Sequence, residues 1–418
     1  MATTKYTYSD AVTNVRSVVP ILDLVSPKDV PFLRLIAGGT DDRPALNSLS
    51  KPCTAMKYEW LEDADTALTL TMTSTAQLNT TGNLTAATTT TAIVAGTPVL
   101  TAGQAARLRV GDLVRIDGTG EIVWVTSVNE TYDTFAATRA VGGGTAPSIA
   151  ATASATTAMT IVGRAHAEGT DASADYVINP TAPYNYVQEM TGMVTVTELE
   201  QAIDRYGIED KIERDTRIRT RELFRRLERN AIYGFRQAGT STSVPSTMGG
   251  LMQYINSTVG NVTAGSAFAS SGVVTKLEVN KRMEASLALV GMANMPDTLL
   301  VSPVGRRYIS TMYGTSTNGQ VTTYRDQNDP TGGFVTEMLR TDVGVELQIV
   351  TVNDMPDTIW FFVKKDYLGI GPLVGKEFKR TMLAKNGTSD KWQISGAYTM
   401  EVRGSLYHAG FTGVNSAA

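Results

Sequence analysis

A glycine-rich segment at 369–376 is the first candidate for chemistry. Phosphate-binding loops place four residues between two glycines and follow the second glycine with Lys and then Ser or Thr. Here Lys376 follows a glycine, but Gly369 lies one position too early for the motif and Gly371 one position too late. Glu377 also replaces the hydroxyl residue. The segment therefore does not predict a nucleotide site.

Two further patterns resemble parts of metal or catalytic sites. Asp171, Ser173 and Asp175 alternate oxygen ligands as a calcium loop does, but the glycine and the distal glutamate of that loop are missing. We interpret them as a polar turn. His166 and His408 do not sit beside a serine or cysteine motif that would make either a recognisable general base. We expect both to be surface or interface histidines.

Four acidic residues cluster near position 60, and such a cluster could contain a carboxylate pair for acid–base chemistry. They are Glu59, Glu62, Asp63 and Asp65. The pattern around them is that of an alternating, extended segment, and no companion acid motif accompanies it. We expect these carboxylates to be solvated or paired with a neighbouring chain.

An arginine-rich stretch at 217–229 could contact phosphate groups. Acids are interleaved through its first half, and several lie four residues before an arginine, which is the favoured order for ion pairs on a helix. We therefore prefer ion pairs between subunits. The predicted intersubunit contacts are Trp60, Glu62, Asp63, Asp65, Arg214, Arg217, Arg219, Arg221, Arg225 and Arg226.

A long helix must position these arginines. Residues 197–236 read as one charged helical segment, which Thr197 and Glu200 open with a capping box. From 208 to 236 the helix would run roughly 40 Å at 1.5 Å per residue. Its middle has few apolar residues, so we expect it to lie along other chains. Its end carries a stripe that can bury against its own domain, consisting of Leu223, Phe224, Leu227, Ala231, Ile232 and Phe235.

Composition excludes several classes of protein. The chain has 418 residues, of which 42% are hydrophobic, enough for two or three domains. Its 37 basic and 41 acidic residues create no overall positive field for nucleic acid. Cys53 is the single cysteine and cannot form an intrachain disulfide, so we expect a reducing compartment, no metal and no cofactor. We expect neither a secretion signal nor a membrane span.

The first 160 residues predict three successive parts. Residues 1–56 mix short apolar clusters with prolines, as an arm draped over other surfaces does. Residues 57–72 read as an extended excursion. Residues 73–160 are rich in Thr, Ala and Gly and predict a small β domain, whose clearest strands flank the turn at 118–120. A disordered Thr/Ala linker is the alternative, but the strand around Trp124 is too apolar to remain solvated.

The remainder predicts a mixed α/β region that ends in strands. Residues 275–291 have helical spacing, 298–301 read as a short buried strand, and 303–312 resume a helix with proline at an early position. The segments 345–352, 358–363, 376–384 and 397–413 have the alternation and glycine punctuation of strands. The predicted fold class is α+β.

The order of these parts resembles the major capsid proteins of tailed bacteriophages with the HK97 fold, in particular the subgroup with a β domain inserted in the extended loop. Five segments carry the resemblance: WLEDADTALTL at 60–70, VGDLVRIDGTGEIVWVTSV at 110–128, VTVTELEQAIDRYGIED at 194–210, RRLERNAIYG at 225–234 and SGAYTMEVRGSLYHAGFTG at 395–413. Together they span most of the chain.

The resemblance implies an HK97-like capsid fold with a long spine helix. Its regions would be an N-terminal arm at 1–56, an extended loop at 57–72 and 161–176, an inserted β domain at 73–160, a peripheral domain at 177–244 and 376–418, and an axial domain at 245–375. The chain would not be an enzyme. It would assemble into the hexamers and pentamers of an icosahedral shell around double-stranded DNA, without sequence-specific binding.

The resemblance also implies partners and a location. A portal protein, a separate scaffolding protein and, in members that have one, a decoration protein would join the shell in the host cytoplasm. The finished protein would reside in the virion capsid, without contact with a membrane. Two alternatives remain open. An encapsulin-like compartment shares the fold but encloses enzymes, and a β-rich tail or adhesin protein shares the Thr/Gly-rich strands.

Overall fold

The computed structural model describes the greater part of the chain. The described residues are 30–40, 43–44, 46–63, 68–72, 100–101, 103–117, 120–131, 133–138, 157–165, 168–169, 180–203, 210–255, 261–267, 272–314, 338–385 and 387–415. Asp65, His166 and the polar turn predicted at 171–175 lie outside them. So do residues 1–29 of the predicted arm and all of 73–99.

The described residues contain helices and strands in largely separate runs, which confirms the predicted α+β class. The helices are α1 (Pro31–Ala37), α2 (Glu198–Gln201), α3 (Lys211–Tyr233), α4 (Leu251–Tyr254), α5 (Lys276–Val290) and α6 (Pro303–Gly314). The strands are β1 (Gly39–Thr40), β2 (Arg43–Pro44), β3 (Lys57–Glu59), β4 (Thr69–Met72), β5 (Asp112–Ile116), β6 (Glu121–Asn129), β7 (Thr134–Thr138), β8 (Thr157–Arg164), β9 (Tyr184–Tyr186), β10 (Gln188–Thr197), β11 (Asn261–Ala264), β12 (Thr298–Val301), β13 (Met338–Arg340), β14 (Glu346–Thr351), β15 (Ile359–Val363), β16 (Leu368–Pro372), β17 (Lys379–Met382), β18 (Ser389–Val402) and β19 (Ala409–Thr412). Strands β1 to β10 come before helices α2 to α4, and strands β13 to β19 come after α6.

The chain divides into two compact units. The larger unit combines Met1–Trp60 with Ala182–Ala418, and the smaller unit is Leu61–Thr181. The predicted extended segment 57–72 is divided between them, since β3 pairs with β9 in the larger unit and β4 pairs with β8 in the smaller one.

The smaller unit is built on a five-stranded antiparallel sheet with the order β4-β8-β5-β6-β7. One face of this sheet is its core. Strand β6 shows why, because Val123 and Val125 are buried while Ile122 and Trp124 between them are exposed. This alternation places Val123 and Val125 on the core side of the pleat and Ile122 and Trp124 on the other.

A six-stranded sheet forms the centre of the larger unit, in the order β11-β19-β15-β12-β14-β13. Strands β12 and β15 are buried along their whole length. Their alternate residues enter two different cores: Leu300 and Phe361 pack in one, whereas Leu299 and Phe362 pack in the other. A strand covered on both faces reads as a continuous apolar run, which is what TLLV and IWFFV show.

A second sheet of the larger unit supports α3. Strand β18 pairs with β10 along one edge and with β16 and β17 along the other, so β10 lies at an edge of this sheet. The even-numbered residues Met190, Val194 and Val196 of β10 are buried, and α3 packs against this strand.

Part of the predicted N-terminal arm packs on the larger unit of its own chain. Val30, Phe32 and Leu33 are buried in the core that contains α3. The Ser48 backbone N–H donates to the Ile370 carbonyl oxygen at 2.9 Å, and the Ile370 N–H donates to the Ser48 hydroxyl at 3.0 Å. Residues 30–53 are therefore attached at both ends to the subunit from which they come.

The predicted helix at 197–236 is wrong in its bounds. Residues 198–201 form the separate helix α2, where the Thr197 hydroxyl accepts the predicted bond from the Glu200 N–H at 3.3 Å. Helix α3 begins after Asp210, whose carboxylate caps it, and ends before Gly234. Its 23 residues span about 34 Å. Because the chain leaves the helix there, Phe235 is 70% exposed and does not extend the buried stripe.

Candidate assembly surface

The C-terminal half of α3 is bound to its own chain by apolar contacts. Leu223, Phe224, Leu227, Ala231 and Ile232 are all buried, as the stripe predicted. The ring of Phe224 packs edge-on against Phe378, with centroids 5.4 Å apart. This half of the helix is part of the core.

Charged side chains of the same half hold the loop between β14 and β15. Arg229 donates to an Asp354 carboxylate oxygen at 2.7 Å, and Arg225 approaches the same oxygen at 3.3 Å. The Tyr233 hydroxyl donates to the Asp354 carbonyl oxygen at 2.7 Å. Arg225 therefore has an acidic partner within its own subunit, which differs from the predicted intersubunit pairing. The difference arises because Asp354 lies 129 residues away in sequence.

The N-terminal half of α3 contains no buried residue. Its charges pair with one another: Arg217 with Glu213 at 3.5 Å, Arg214 with Asp215 at 3.1 Å, and both Arg219 and Arg226 with Glu222. Exposed pairs of this kind contribute only about 0.2–1 kcal/mol each. The side chains of Arg217 and Arg226 remain more than half exposed, and Arg221 is half-buried.

A groove lies between this helix and the start of β10. Its volume is about 310 Å³, and Arg226, Arg229 and Asn230 of α3 line one side. Residues 188–191 of β10 line the other side, with Leu223 at the helix. The groove thus offers basic, acidic and apolar surface together, with Glu189 as its acidic residue.

The acidic segment near Trp60 divides into buried and exposed parts. Trp60 is 6% exposed and packs on the rings of Tyr58 and Tyr254, at centroid distances of 6.3 and 5.9 Å, so it belongs to the core. This burial differs from the predicted intersubunit contact, because Tyr254, which is far away in sequence, covers the Trp60 ring together with the nearby Tyr58. Asp63 is exposed, Glu62 is half-buried with its backbone bonded to Thr181, and Glu59 pairs with Lys57.

The expectation that His408 lies at the surface or at an interface is wrong, because this side chain is fully buried. Its Nδ1 accepts from the Lys364 backbone N–H at 3.2 Å, and its Nε2 lies 3.2 Å from the Arg403 carbonyl oxygen, to which it donates when neutral. Burial disfavours the charged ring and lowers the pKa of His408 to about 4. His408 is a structural residue that stays neutral at pH 7.

Two buried carboxylates went unrecognised in the sequence. Glu401 accepts from the Ser50 N–H and hydroxyl at 2.9 and 2.7 Å and from the Tyr58 hydroxyl at 3.3 Å. Glu228 lies within the buried stripe of α3, where burial raises its pKa to about 8. A charged residue inside an apolar helix stripe was the available signal for Glu228.

Residues 369–372 of the glycine-rich segment belong to strand β16. A side chain at Gly369 would place its Cβ 2.8 Å from the Ser48 carbonyl oxygen, so glycine permits the close approach of the N-terminal segment. Among the described ranges, no group of three His, Cys, Asp or Glu residues could hold a metal ion. No helix in the same ranges is long and apolar enough to cross a membrane.

Several solved structures are similar to this chain. The SrpI encapsulin of Synechococcus elongatus PCC 7942 matches with 13% identity over 58% of this chain and 79% of its own, at a TM-score of 0.40. The capsid of an empty GTA particle matches with 12% identity over 60% and 81%, at a TM-score of 0.43. The capsid of Myoviridae phage XM1 matches with 10% identity over 60% and 81%, at a TM-score of 0.40.

The family comparison covers nearly the whole chain. No curated protein matches in a sequence search. The model of the family described as SU10 major capsid protein matches residues 2–415, which confirms the predicted major capsid protein and favours it over the encapsulin and tail-protein alternatives. The chain belongs to the SU10 major capsid protein family, and it is therefore a structural shell protein of a phage capsid and not an enzyme.

Proposed function

We propose that this chain assembles into the hexamers and pentamers of an icosahedral shell that encloses the double-stranded DNA of a tailed phage. The observation that carries the proposal is the unburied N-terminal half of α3, a charged helix surface to which its own chain supplies no core. Neighbouring subunits in an obligate assembly would cover such a surface.

The proposed regions follow the HK97 arrangement. The spine helix is α3, and the peripheral domain comprises 177–244 and 376–418. The axial domain is 245–375, the N-terminal arm is 1–56, and the extended loop, at 57–72 and 161–176, carries the β insertion 73–160. The pairing of β3 with β9 supports the beginning of a two-armed loop, because it brings together residues 57–59 and 184–186.

The acidic segment of one subunit is the proposed partner for the exposed arginines of another. Glu62 and Asp63 would supply the carboxylates, together with Asp65. The basic surface would be the exposed side of α3 with Arg217, Arg219 and Arg226, next to the groove along β10. Leu61, which is 76% exposed, would add apolar contact to each such pair.

The proposed partners beyond the shell are a portal protein, a separate scaffolding protein and a decoration protein, with assembly in the host cytoplasm. The near balance of 37 basic and 41 acidic residues supports DNA enclosure without sequence-specific binding.

Negative-stain microscopy, mass analysis and nuclease protection of particles that contain the chain test the proposal. We expect closed icosahedral shells with nuclease-protected double-stranded DNA inside. Shells that enclose protein in place of DNA would contradict the genome container and support an encapsulin-like compartment. Monomers or trimers under all assembly conditions would contradict the shell itself.

A further inference from the structure

The inference concerns the free edge of β10, the strand on which α3 packs. Among the described residues, β18 is its only strand neighbour, and their ladder continues to the bond from the Glu198 N–H to the Thr388 carbonyl oxygen at 2.8 Å. Because backbone groups alternate in direction along an antiparallel strand, the even-numbered residues of β10 bond to β18 and the odd-numbered residues face away from it. Val187, just before the strand, follows the same alternation, since its N–H donates to the Met56 carbonyl oxygen at 2.9 Å.

The odd-numbered residues therefore present their N–H and carbonyl groups at this edge. They are Glu189, Thr191, Met193, Thr195 and Thr197, and the described part of the chain supplies no backbone partner for them. Proteins usually protect such an edge with proline, lysine, a bulge or a covering segment. Strand β10 has neither proline nor lysine, and its ten residues pair with β18 without a bulge. An unprotected edge of this length is a template for another strand.

The groove between β10 and α3 gives an added strand room at this edge. Four consecutive residues, 188–191, line it. Because alternate side chains point to opposite faces, a consecutive run means that the strand edge itself forms this wall. Helix α3 leans away from the edge, since Phe224 packs on Phe378, which precedes β17 on the far side of β18. The helix thus leaves the edge open.

We infer that β10 pairs antiparallel with β10 of a second subunit, about a twofold axis at Met193. Met193 is the middle one of the five outward-facing residues. An axis there pairs Met193 with its own copy, Thr191 with Thr195, and Glu189 with Thr197, so all five find partners. An axis at any other residue of the strand leaves some of them unpaired. The inference rests on the proposed shell, and it names one of the twofold contacts that an icosahedral shell contains.

The side chains of β10 fit this register. On the face away from α3, Thr191 would meet Thr195, and the exposed Met193 would be covered by its own copy. Cross-strand threonine pairs and apolar pairs stabilise a sheet. Glu189 is the only charged residue of the strand and would face Thr197, so no like charges oppose each other. The strand is self-complementary, as an isologous contact requires.

Charges beyond the ends of the strand are also complementary. In this register Glu198 of the second subunit would lie beside Gln188, at the groove that Arg226 and Arg229 line. All three charged side chains are more than half exposed in the single subunit. By symmetry, each subunit would offer an acidic residue after its strand and a basic groove beside the start of its strand. Charge complementarity of this kind fixes register.

Disulfide trapping in assembled particles of the full chain tests the pairing. Cys53 is buried, so the wild type is the thiol background. Met193→Cys places two thiols at the axis, where opposed Cα atoms are about 5.5 Å apart, within disulfide range. Thr195→Cys is the matched control, because about 14 Å of strand separates its two copies. After mild oxidation we expect at least about tenfold more covalent dimer from Met193→Cys.

Two further variants test the register and the backbone contact. Thr191→Cys combined with Thr195→Cys should form the dimer that neither single variant forms, because the register opposes these two positions. Thr195→Pro removes an N–H from the free edge and none from the ladder with β18, so the subunit should stay folded. In the Met193→Cys background it should reduce the dimer to the level of Thr195→Cys, whereas Thr195→Ala should preserve the dimer.

The outcomes separate the pairing from the shell. Closed shells without the Met193→Cys dimer would overturn the pairing and leave the proposed shell standing. Equal crosslinking of Met193→Cys and Thr195→Cys would also overturn it, as would a crosslink from position 193 to Cys53, because another part of a neighbouring chain would then occupy the edge. Absence of closed shells from the wild type would contradict the proposed function, and the pairing with it.

Discussion

The two halves of α3 show how one helix can serve both its own subunit and an assembly. From Leu223 onward the helix buries an apolar stripe and ties the loop at Asp354 to itself. From Lys211 to Glu222 no residue is fully buried, and charged side chains such as Arg217 and Arg219 pair along the helix surface. Apolar burial stabilises a fold far more than exposed ion pairs do. The first half is therefore available to neighbours along its whole length, whereas the second half offers them only exposed side chains such as Arg226.

The largest expected difference between the halves comes from truncating one apolar residue in each. Leu227→Ala removes a fully buried side chain and should destabilise the subunit by about 2–5 kcal/mol. The matched variant Ile218→Ala alters a half-buried residue and should cost less than about 1 kcal/mol. Denaturant midpoints of the unassembled chain measure both effects. Equal losses would contradict the division of the helix.

Glu228 and Glu222, one in each half of α3, should affect the stability of the subunit in opposite ways as the pH changes. The folded pKa of Glu228 is raised to about 8, so the stability present below pH 4.5 is lost as the pH rises towards 8. Glu228→Gln should therefore stabilise the chain at pH 8, by at most about 4 kcal/mol, and should have little effect at pH 4.5.

The control for that variant lies on the exposed half. Glu222 has a lowered pKa because Arg219 donates to it, so its contribution is present at neutral pH and is lost in acid. Glu222→Gln should reduce stability slightly at pH 7, by less than about 1 kcal/mol, and should not stabilise the chain at pH 8. Thermal melts across pH 4.5–8 check both variants. If Glu222→Gln also stabilised the chain at pH 8, the two halves of α3 would not differ in the way proposed.

Removing the acid that holds the C-terminal half should have a moderate effect. Asp354→Ala leaves Arg225 and Arg229 without their shared partner, and its side chain is only 14% exposed. We expect a loss of about 1–3 kcal/mol. Glu213→Ala, the matched change in the exposed half, should cost less than about 0.5 kcal/mol. Denaturant midpoints measure both variants. A larger loss of stability for Glu213→Ala than for Asp354→Ala would contradict the division of α3 into a bound half and an exposed half.

Local patterns predicted much of this fold, and long-range contacts explain the remainder. The alternation in 110–128 and the apolar run TIWFFV gave strands within a few residues of β5, β6 and β15. The burial of Trp60 depends on Tyr254, and the pairing of Arg225 depends on Asp354, which no local pattern reveals. Helix bounds also depended on tertiary contacts, because Gly234 bonds to the backbone of Gly250 as the helix ends.

The candidate assembly surface was likewise predicted where it depends on local spacing and missed where it depends on long-range contacts. The acid–base spacing along α3 correctly predicted pairs such as Glu213 with Arg217 and Glu222 with Arg226. It could not show which arginines would find acids elsewhere in the chain. Burial of His408 was missed for the same reason, since Lys364 and Arg403 enclose it only after β15, β18 and β19 come together.

A charge reversal on the exposed half of α3 tests the central claim most directly. Arg217 is 66% exposed at its side chain, and Arg217→Glu should change the melting temperature of the subunit very little. Sedimentation and negative-stain microscopy should then show folded subunits that no longer form closed shells, with Arg217→Lys as the control that still does. Normal shells from Arg217→Glu would contradict the assignment of this surface to assembly.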